Sequence, residues 1–356
     1  MRILQIINGL FTGGAEKLLL ESIPVLGKEG NVVDILLLNG TETPFLKELK
    51  DKKLINIYYL GFSFYNPIYI FKIIPFLKKY EIIHVHLFPA LYFVAIARML
   101  TFSNAKLYFT EHSTFNKRLD NKLFYYIEKV VYSKYHKIIC ITDEVKNKLL
   151  KSYPFLINKS CVVTNGINLK QLCESIKYDR LKFNYKDTDM LMCMVAGFRP
   201  EKDHKTIIDA LLRLPANYKL ILIGDGVNKL YFENYAKEIG VDRRTLFLGV
   251  RTDVGSILKM VDLSILSSFH EGFGIAALES MALGIPTIGS NVPGLANVIE
   301  DGGLIFEVGN VSDLVSTINK LNCEEFYTNV SNSGKSKSEK YSIQAHVNSL
   351  LKIYNS

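Results

Sequence analysis

The stretch HEGFGIAALESMALGIPT, residues 270 to 287, carries two carboxylates eight positions apart, Glu271 and Glu279. Carboxylates grip hydroxyl groups by accepting their hydrogen bonds, and a glycine-bearing turn brings backbone N–H groups close to an anion. VDLSILSS before Glu271 reads as a β-strand and IAALESMALG after the turn as a helix, so Gly272 and Gly274 fall in a strand-to-helix turn. Such a turn exposes unpaired N–H groups and the positive end of the helix dipole, which suits a phosphate. Glu279 sits about a turn and a half into the helix. At a rise of ~1.5 Å per residue the two acids are at most about 12 Å apart along the axis. A sugar and a ribose joined through a diphosphate span a comparable distance. The plainer reading, a helix cap plus an acid on a solvated face, is weakened by the strand–EGFG–helix context.

Other residues invite chemistry with less specificity. FRPEKDH offers two cations, Arg199 and Lys202, which are otherwise surface charges on a loop. GLFTGGAEK fails as a G-x-G-x-x-G dinucleotide fingerprint. Its Gly13 and Gly14 instead make a flexible loop at the end of the first strand, or simply a tight strand–helix connection. His112 in TEHSTFNKR follows a strand at the ligand-bearing edge, where a lone histidine is as readily structural. His84 and His86 alternate within a strand and share a face; metal binding needs a third ligand that the sequence does not supply. DTD, Asp187 to Asp189, precedes a strand instead of following one, which argues against a metal site. No metal and no other cofactor is expected.

The elements that position these residues repeat a simple pattern. RILQII, VVDILLL, INIYYL, IIHVHL, KLYFTE, KIICIT and CVVT are short and rich in β-branched or aromatic residues, mostly separated by amphipathic segments. A polar stretch, NLKQLCESIKYDRLKFNYKDTD, interrupts. Then MLMCMVAGF, KLILIGDG, TLFLGV, VDLSILSS, GIPTIGS and GLIFEVG resume the alternation. Two doubly wound parallel-sheet Rossmann-like domains facing across a cleft are expected, with ligands beyond the carboxyl ends of the strands. The five cysteines form no C-x-x-C pair and read as reduced, mostly buried small hydrophobes.

EGFGIAALESMALGIPTIGSNVPGLANVI resembles the signature of the retaining glycosyltransferases of family four, which have the GT-B fold. GGAEK, TEHS, TNGIN, FRPEKDH, LIGDG and FLG stand in the order that family has them, so the resemblance covers most of the chain. It implies an α/β protein with an acceptor-binding domain over 1–168, a nucleotide-sugar-binding domain over 169–337, and a helix over 338–356 packing back on the first domain. Glu271 would contact the donor sugar and Glu279 the ribose, while main-chain groups of Gly272, Phe273, Gly274 and Ile275 meet sugar and diphosphate. Arg199 and Lys202 would neutralise the departing diphosphate, although many relatives carry the arginine where this chain has Gly197. Gly13 and Gly14 would lie near the diphosphate and acceptor, and His112 near the donor sugar. The implied reaction moves a sugar from a UDP- or GDP-sugar to a hydroxyl of a glycan or lipid-linked acceptor in cell-surface polysaccharide synthesis, with retention and without metal. A sugar-nucleotide epimerase, a phosphorylase of similar fold, or a catalytically silent binder of nucleotide sugar are the rivals.

Charge is unevenly divided. Residues 1–170 hold 23 Lys and Arg against 13 Asp and Glu, whereas residues 171–356 hold 20 against 22. An anionic partner is therefore expected for the basic half. Residues 115–137 and 62–80 interleave lysines with aromatic and aliphatic side chains, which suits an anionic membrane surface; the alternative is ordinary helix packing with solvated lysines. No nucleic-acid-binding module is recognisable. No secretory signal or apolar run of ~18 residues is evident, so a cytoplasmic protein, peripheral on the inner membrane face, is expected.

Overall fold

The computed structural model describes residues 1–53, 55–113 and 122–356, with side chains except those of Lys122 and Leu123. The chain divides into two compact units, Met1–Gly166 together with Ile343–Ser356, and Ile167–Ser342.

The first unit is a seven-stranded parallel sheet: β1 (Arg2–Ile7), β2 (Val32–Asn39), β3 (Ile57–Gly61), β4 (Ile82–His86), β5 (Lys106–Glu111), β6 (Lys137–Cys140) and β7 (Ser160–Val162), in the order β3-β2-β1-β4-β5-β6-β7. Strands covered by helices on both faces need apolar residues at nearly every position. Ile3, Leu4, Ile6 and Ile7 in β1 and Ile35, Leu36, Leu37 and Leu38 in β2 meet that demand, all fully buried. Side-chain caps start several helices: Thr43 accepts from the N–H of Leu46 ahead of helix Pro44–Asp51, and Thr142 from that of Val145 ahead of Asp143–Ser152. The last helix, Ile343–Tyr354, belongs to this unit. It lies against helix Gly14–Lys28 and puts Val347, Leu350 and Tyr354 into the core with Ile3, Leu19 and Ile23.

The second unit is a six-stranded parallel sheet: β8 (Met190–Val195), β9 (Tyr218–Ile223), β10 (Thr245–Gly249), β11 (Leu263–Leu266), β12 (Thr287–Ser290) and β13 (Leu304–Phe306), ordered β10-β9-β8-β11-β12-β13. Each strand falls within an apolar run of the sequence. The polar stretch after residue 167 is not structureless: it forms helix Leu169–Glu174 and a short 3-10 turn, Arg180–Phe183. In it the Asp189 carboxylate accepts the N–H of Lys186. The expected terminal helix over 338–356 starts later, at Ile343. Residues Glu324–Ser338 form a separate helix of the second unit, which runs to Ser342.

In each sheet the chain order reverses once, between β1 and β4 in the first and between β8 and β11 in the second. Loops leaving the carboxyl ends of two such strands diverge to opposite faces and open a crevice, where ligands of doubly wound folds bind.

Candidate active site

The reversal in the second sheet brings together the two segments singled out by their chemistry. The loop after β8 runs through Arg199 and Lys202, and the loop after β11 runs through Glu271. Main-chain bonds join them: Asp203 N–H donates to the Ser267 carbonyl at 3.1 Å and Phe269 N–H to that of Glu201 at 2.9 Å. Lys202 and Ser268 face one another in an antiparallel bridge. The Asp203 carboxylate fixes the first loop by capping helix His204–Ala210 through the N–H of Thr206, and it accepts the Ser267 hydroxyl at 3.3 Å. Ser290 of β12 anchors the second, accepting the Ser268 N–H and donating to its carbonyl.

On this frame Lys202 Nζ donates to Glu271 Oε2, and both side chains are only 17% exposed. The other carboxylate oxygen, Oε1, accepts the N–H of Gly272 at 3.1 Å. Glu271 is thus held by a cation on one side and the turn backbone on the other, not extended into water. Glu279 lies on helix Ile275–Ala282 and is 5% exposed. Neither acid occupies a solvated face, which removes the plainer reading of the pair.

The turn itself is determined by what cannot fit. Gly274, the N-cap of the helix, has φ of 90°, a backbone state that L side chains rarely adopt, and a Cβ there would stand 2.5 Å from Leu295 Cδ1. Phe273 turns its ring inward, 2% exposed and edge-on to Tyr341 at 5.7 Å, so it anchors the turn and leaves only its main chain to a ligand. Ile275 is buried as well. Gly294, overlooked in the sequence, matters as much. Its φ is 88°, and a Cβ would stand 2.6 Å from the carbonyl oxygens of both Glu271 and Gly272. The Pro293-Gly294 pair after β12 was the available signal.

Arg199 is exposed, and its N–H donates to the Gly197 carbonyl at 2.8 Å. Its side chain folds back: Nε lies 3.6 Å from where a Cβ on Gly197 would stand. The guanidinium therefore borders the space that a side chain at position 197 would enter.

In the first unit Gly13 caps helix Gly14–Lys28 with an ordinary φ of −97°. The Glu16 carboxylate lies over it, 2.3 Å from where a Cβ would stand. That acid lies in the first helical turn, where the dipole favours it. His112 follows β5 and is not isolated. Its Nε2 is 3.0 Å from His86 Nδ1, and His86 Nε2 is 3.0 Å from Gln5 Oε1. Burial, with His346 nearby, brings the His112 imidazole down to about 3 from its ordinary 6.5, so it is neutral at physiological pH. His84 and His86 share a face as their alternation requires, and their rings are 4.3 Å apart. Among the described residues no cluster of His, Cys, Asp or Glu has the makings of a metal site.

Residues 12–171 match the family described as Glycosyltransferase Family 4, and residues 176–337 match that described as Glycosyl transferases group 1. The chain is 33% identical over 225 residues to an uncharacterized glycosyltransferase of Methanocaldococcus jannaschii, covering 61% of this chain and 59% of that protein. It is 26% identical over 256 residues to the UDP-Gal:alpha-D-GlcNAc-diphosphoundecaprenol alpha-1,3-galactosyltransferase of Escherichia coli, covering 68% of this chain and 66% of the other. The matched stretches thus span about three fifths to two thirds of these relatives. The crystal structure of Anabaena HepE in complex with UDP and glucose superposes with a TM-score of 0.86 at 18% identity, covering 99% of both chains.

Proposed function

This chain belongs to the GT-B glycosyltransferases of family four, and we propose that it moves a sugar from a nucleoside-diphosphate donor, a UDP-sugar before a GDP-sugar, to a hydroxyl of a glycan or lipid-linked acceptor in cell-surface polysaccharide synthesis. The observation that carries this reading is the Lys202–Glu271 pair at the strand-order reversal, set against a glycine turn. The named donor of the Escherichia coli relative and the UDP bound to HepE favour a uridine nucleotide. The diphosphoundecaprenol acceptor in the relative's name favours a lipid-linked one.

On this reading a diphosphate entering the crevice competes for Lys202 and frees the Glu271 carboxylate for sugar hydroxyls. Arg199 adds positive charge, and main-chain groups of Gly272, Phe273, Gly274 and Ile275 meet sugar and diphosphate. Glu279 holds the ribose, Gly13 and Gly14 line the approach of diphosphate and acceptor, and His112 contacts the donor sugar. The acceptor oxygen bonds the anomeric carbon on the face from which the diphosphate leaves. The carbon–oxygen electron pair departs with the diphosphate, whose oxygen takes the acceptor proton. Configuration is retained, and no carboxylate of the protein forms a covalent bond. Fixed cations stabilise the growing negative charge of the leaving group. They fill the role of a divalent ion, so turnover should persist in EDTA.

Thermal shift tests the donor. A UDP-sugar at ~100 times its dissociation constant should stabilise the protein by about 2.7 kcal/mol. If no UDP- or GDP-sugar raises the melting temperature, the reading fails; free sugar or an isomerised nucleotide as product would point to the epimerase instead, and a sugar phosphate to the phosphorylase.

For the acceptor end, we propose that the first unit rests on anionic lipid at the inner membrane face, making the protein cytoplasmic and peripheral. Ile68 and Phe71 on and beside helix Tyr69–Lys79, and Tyr126, Ile127 and Val130 on helix Lys122–Ser133, are exposed. Helix Ala90–Met99 packs against both, and exposed Lys78, Lys79, Lys129 and Lys134 accompany the apolar groups. Other aromatics of these stretches, Tyr69, Tyr132 and Tyr135, are core, and residues 114–121 lie outside the described part. Among the described residues no helix is long and apolar enough to cross a membrane. Flotation with phosphatidylglycerol vesicles at low salt should carry the protein upward; absence of binding there sinks the proposal.

A further inference from the structure

Six side chains of the first unit form two hydrogen-bonded series, Thr110–His84–Tyr354 and Gln5–His86–His112. His84 Nε2 is 2.6 Å from Thr110 Oγ1, and His84 Nδ1 is 2.6 Å from the Tyr354 hydroxyl. In the second series the Gln5 amide oxygen meets His86 Nε2 at 3.0 Å, and His86 Nδ1 meets His112 Nε2 at 3.0 Å. The sheet register makes both series possible. Gln5 of β1 lies opposite His84 of β4, and His86 lies opposite Thr110 of β5, so His112 follows two residues on.

The direction of each bond in the second series follows from Gln5. Its carbonyl oxygen faces His86 Nε2, and a carbonyl oxygen only accepts, so His86 carries its proton on Nε2. His86 Nδ1 is then a bare acceptor, and His112 must donate to it from Nε2. A neutral imidazole has one proton, so His112 Nδ1 is left as an acceptor, bonded to no described residue.

We propose that Gln5 and His86 are positioning residues that hold His112 in the Nε2–H tautomer, so that Nδ1 accepts a hydrogen bond from a substrate hydroxyl. This rests on the reading of His112 as a substrate contact. Sugar hydroxyls donate or accept equally well; the tautomer decides which, and so which lone pairs the hydroxyl offers elsewhere. A wrong tautomer turns one hydrogen bond into an opposed pair, a loss of about tenfold in turnover.

Two-bond 1H–15N spectra of the full chain labelled in histidine read the tautomer without any substrate, with His112→Asn assigning the signal. The wild type should show His112 protonated on Nε2. Gln5→Met, which keeps the volume and removes the amide, should give mixed tautomers and the tenfold loss. Gln5→Glu, whose carboxylate can only accept from His86, should restore the Nε2–H form and most of the turnover. A wild-type proton on Nδ1, or a tautomer unmoved in Gln5→Met, overturns the proposal, as does a switched tautomer with full turnover. Wild-type turnover in His112→Asn would instead sink the substrate-contact reading beneath it.

Discussion

Glu271→Gln should lower turnover on the order of 10²-fold or more while the protein folds as before, the scale seen when one preorganised electrostatic partner is removed from a transition state. The amide keeps the shape and one oxygen for the Gly272 N–H, so the turn survives. It loses the charge that holds Lys202 in place and that would hold the donor's hydroxyls. Lys202→Met should cost a similar factor, because the departing diphosphate then meets one fewer fixed cation. The two side chains are in contact, so the double variant should lose less than the product of the single losses. Steady-state kinetics beside a thermal melt make the check. Wild-type turnover in Glu271→Gln refutes its role, and a collapsed melt would mean that the pair is chiefly structural.

A second large effect is expected in acid. His84, His86, His112 and His346 all lie in the first unit, and burial pushes every one of them below the ordinary 6.5, His112 to about 3 and His346 to about 4. The unfolded chain takes up protons on these rings below pH 6.5, whereas the folded unit does not. Their contribution to stability is therefore complete above about pH 6.5 and declines as pH falls toward 4 and 3. Each such histidine contributes a slope of up to about 1.4 kcal/mol per pH unit. Ordinary carboxylates titrate lower, so the window from pH 6.5 to 5 belongs to the histidines. Denaturant midpoints across that window should fall steeply; a flat profile would mean that the rings are hydrated and protonate freely in the folded state.

The fold was legible because parallel strands covered on both faces must be apolar almost throughout, and each described strand lies in such a run. Helix Glu324–Ser338 was harder to see. It is polar and serine-rich, and its place depends on a close approach: a Cβ on Gly334 would stand 2.7 Å from the Gly302 carbonyl. Within the candidate site, contiguous features were readable, namely the two acids, the EGFG turn and the loop with Lys202. Relations across the sheet were not. That His86 meets His112, 26 residues away, depends on how β4 and β5 align. That Gly294 backs the carbonyls of Glu271 and Gly272 depends on the path taken after β12. Local pattern reports what a segment becomes, and long-range register decides what it touches.

The return of helix Ile343–Tyr354 to the first unit also has a bearing on how the polypeptide is made. A ribosome delivers Val347, Leu350 and Tyr354 only after all of residues 167–342 have emerged. During synthesis the amino-terminal sheet waits with one flank uncovered and with His84 lacking the Tyr354 hydroxyl. The later-made carboxy-terminal unit, continuous in sequence, has every residue in hand before its neighbour does, so the half that is translated first is the half that is finished last.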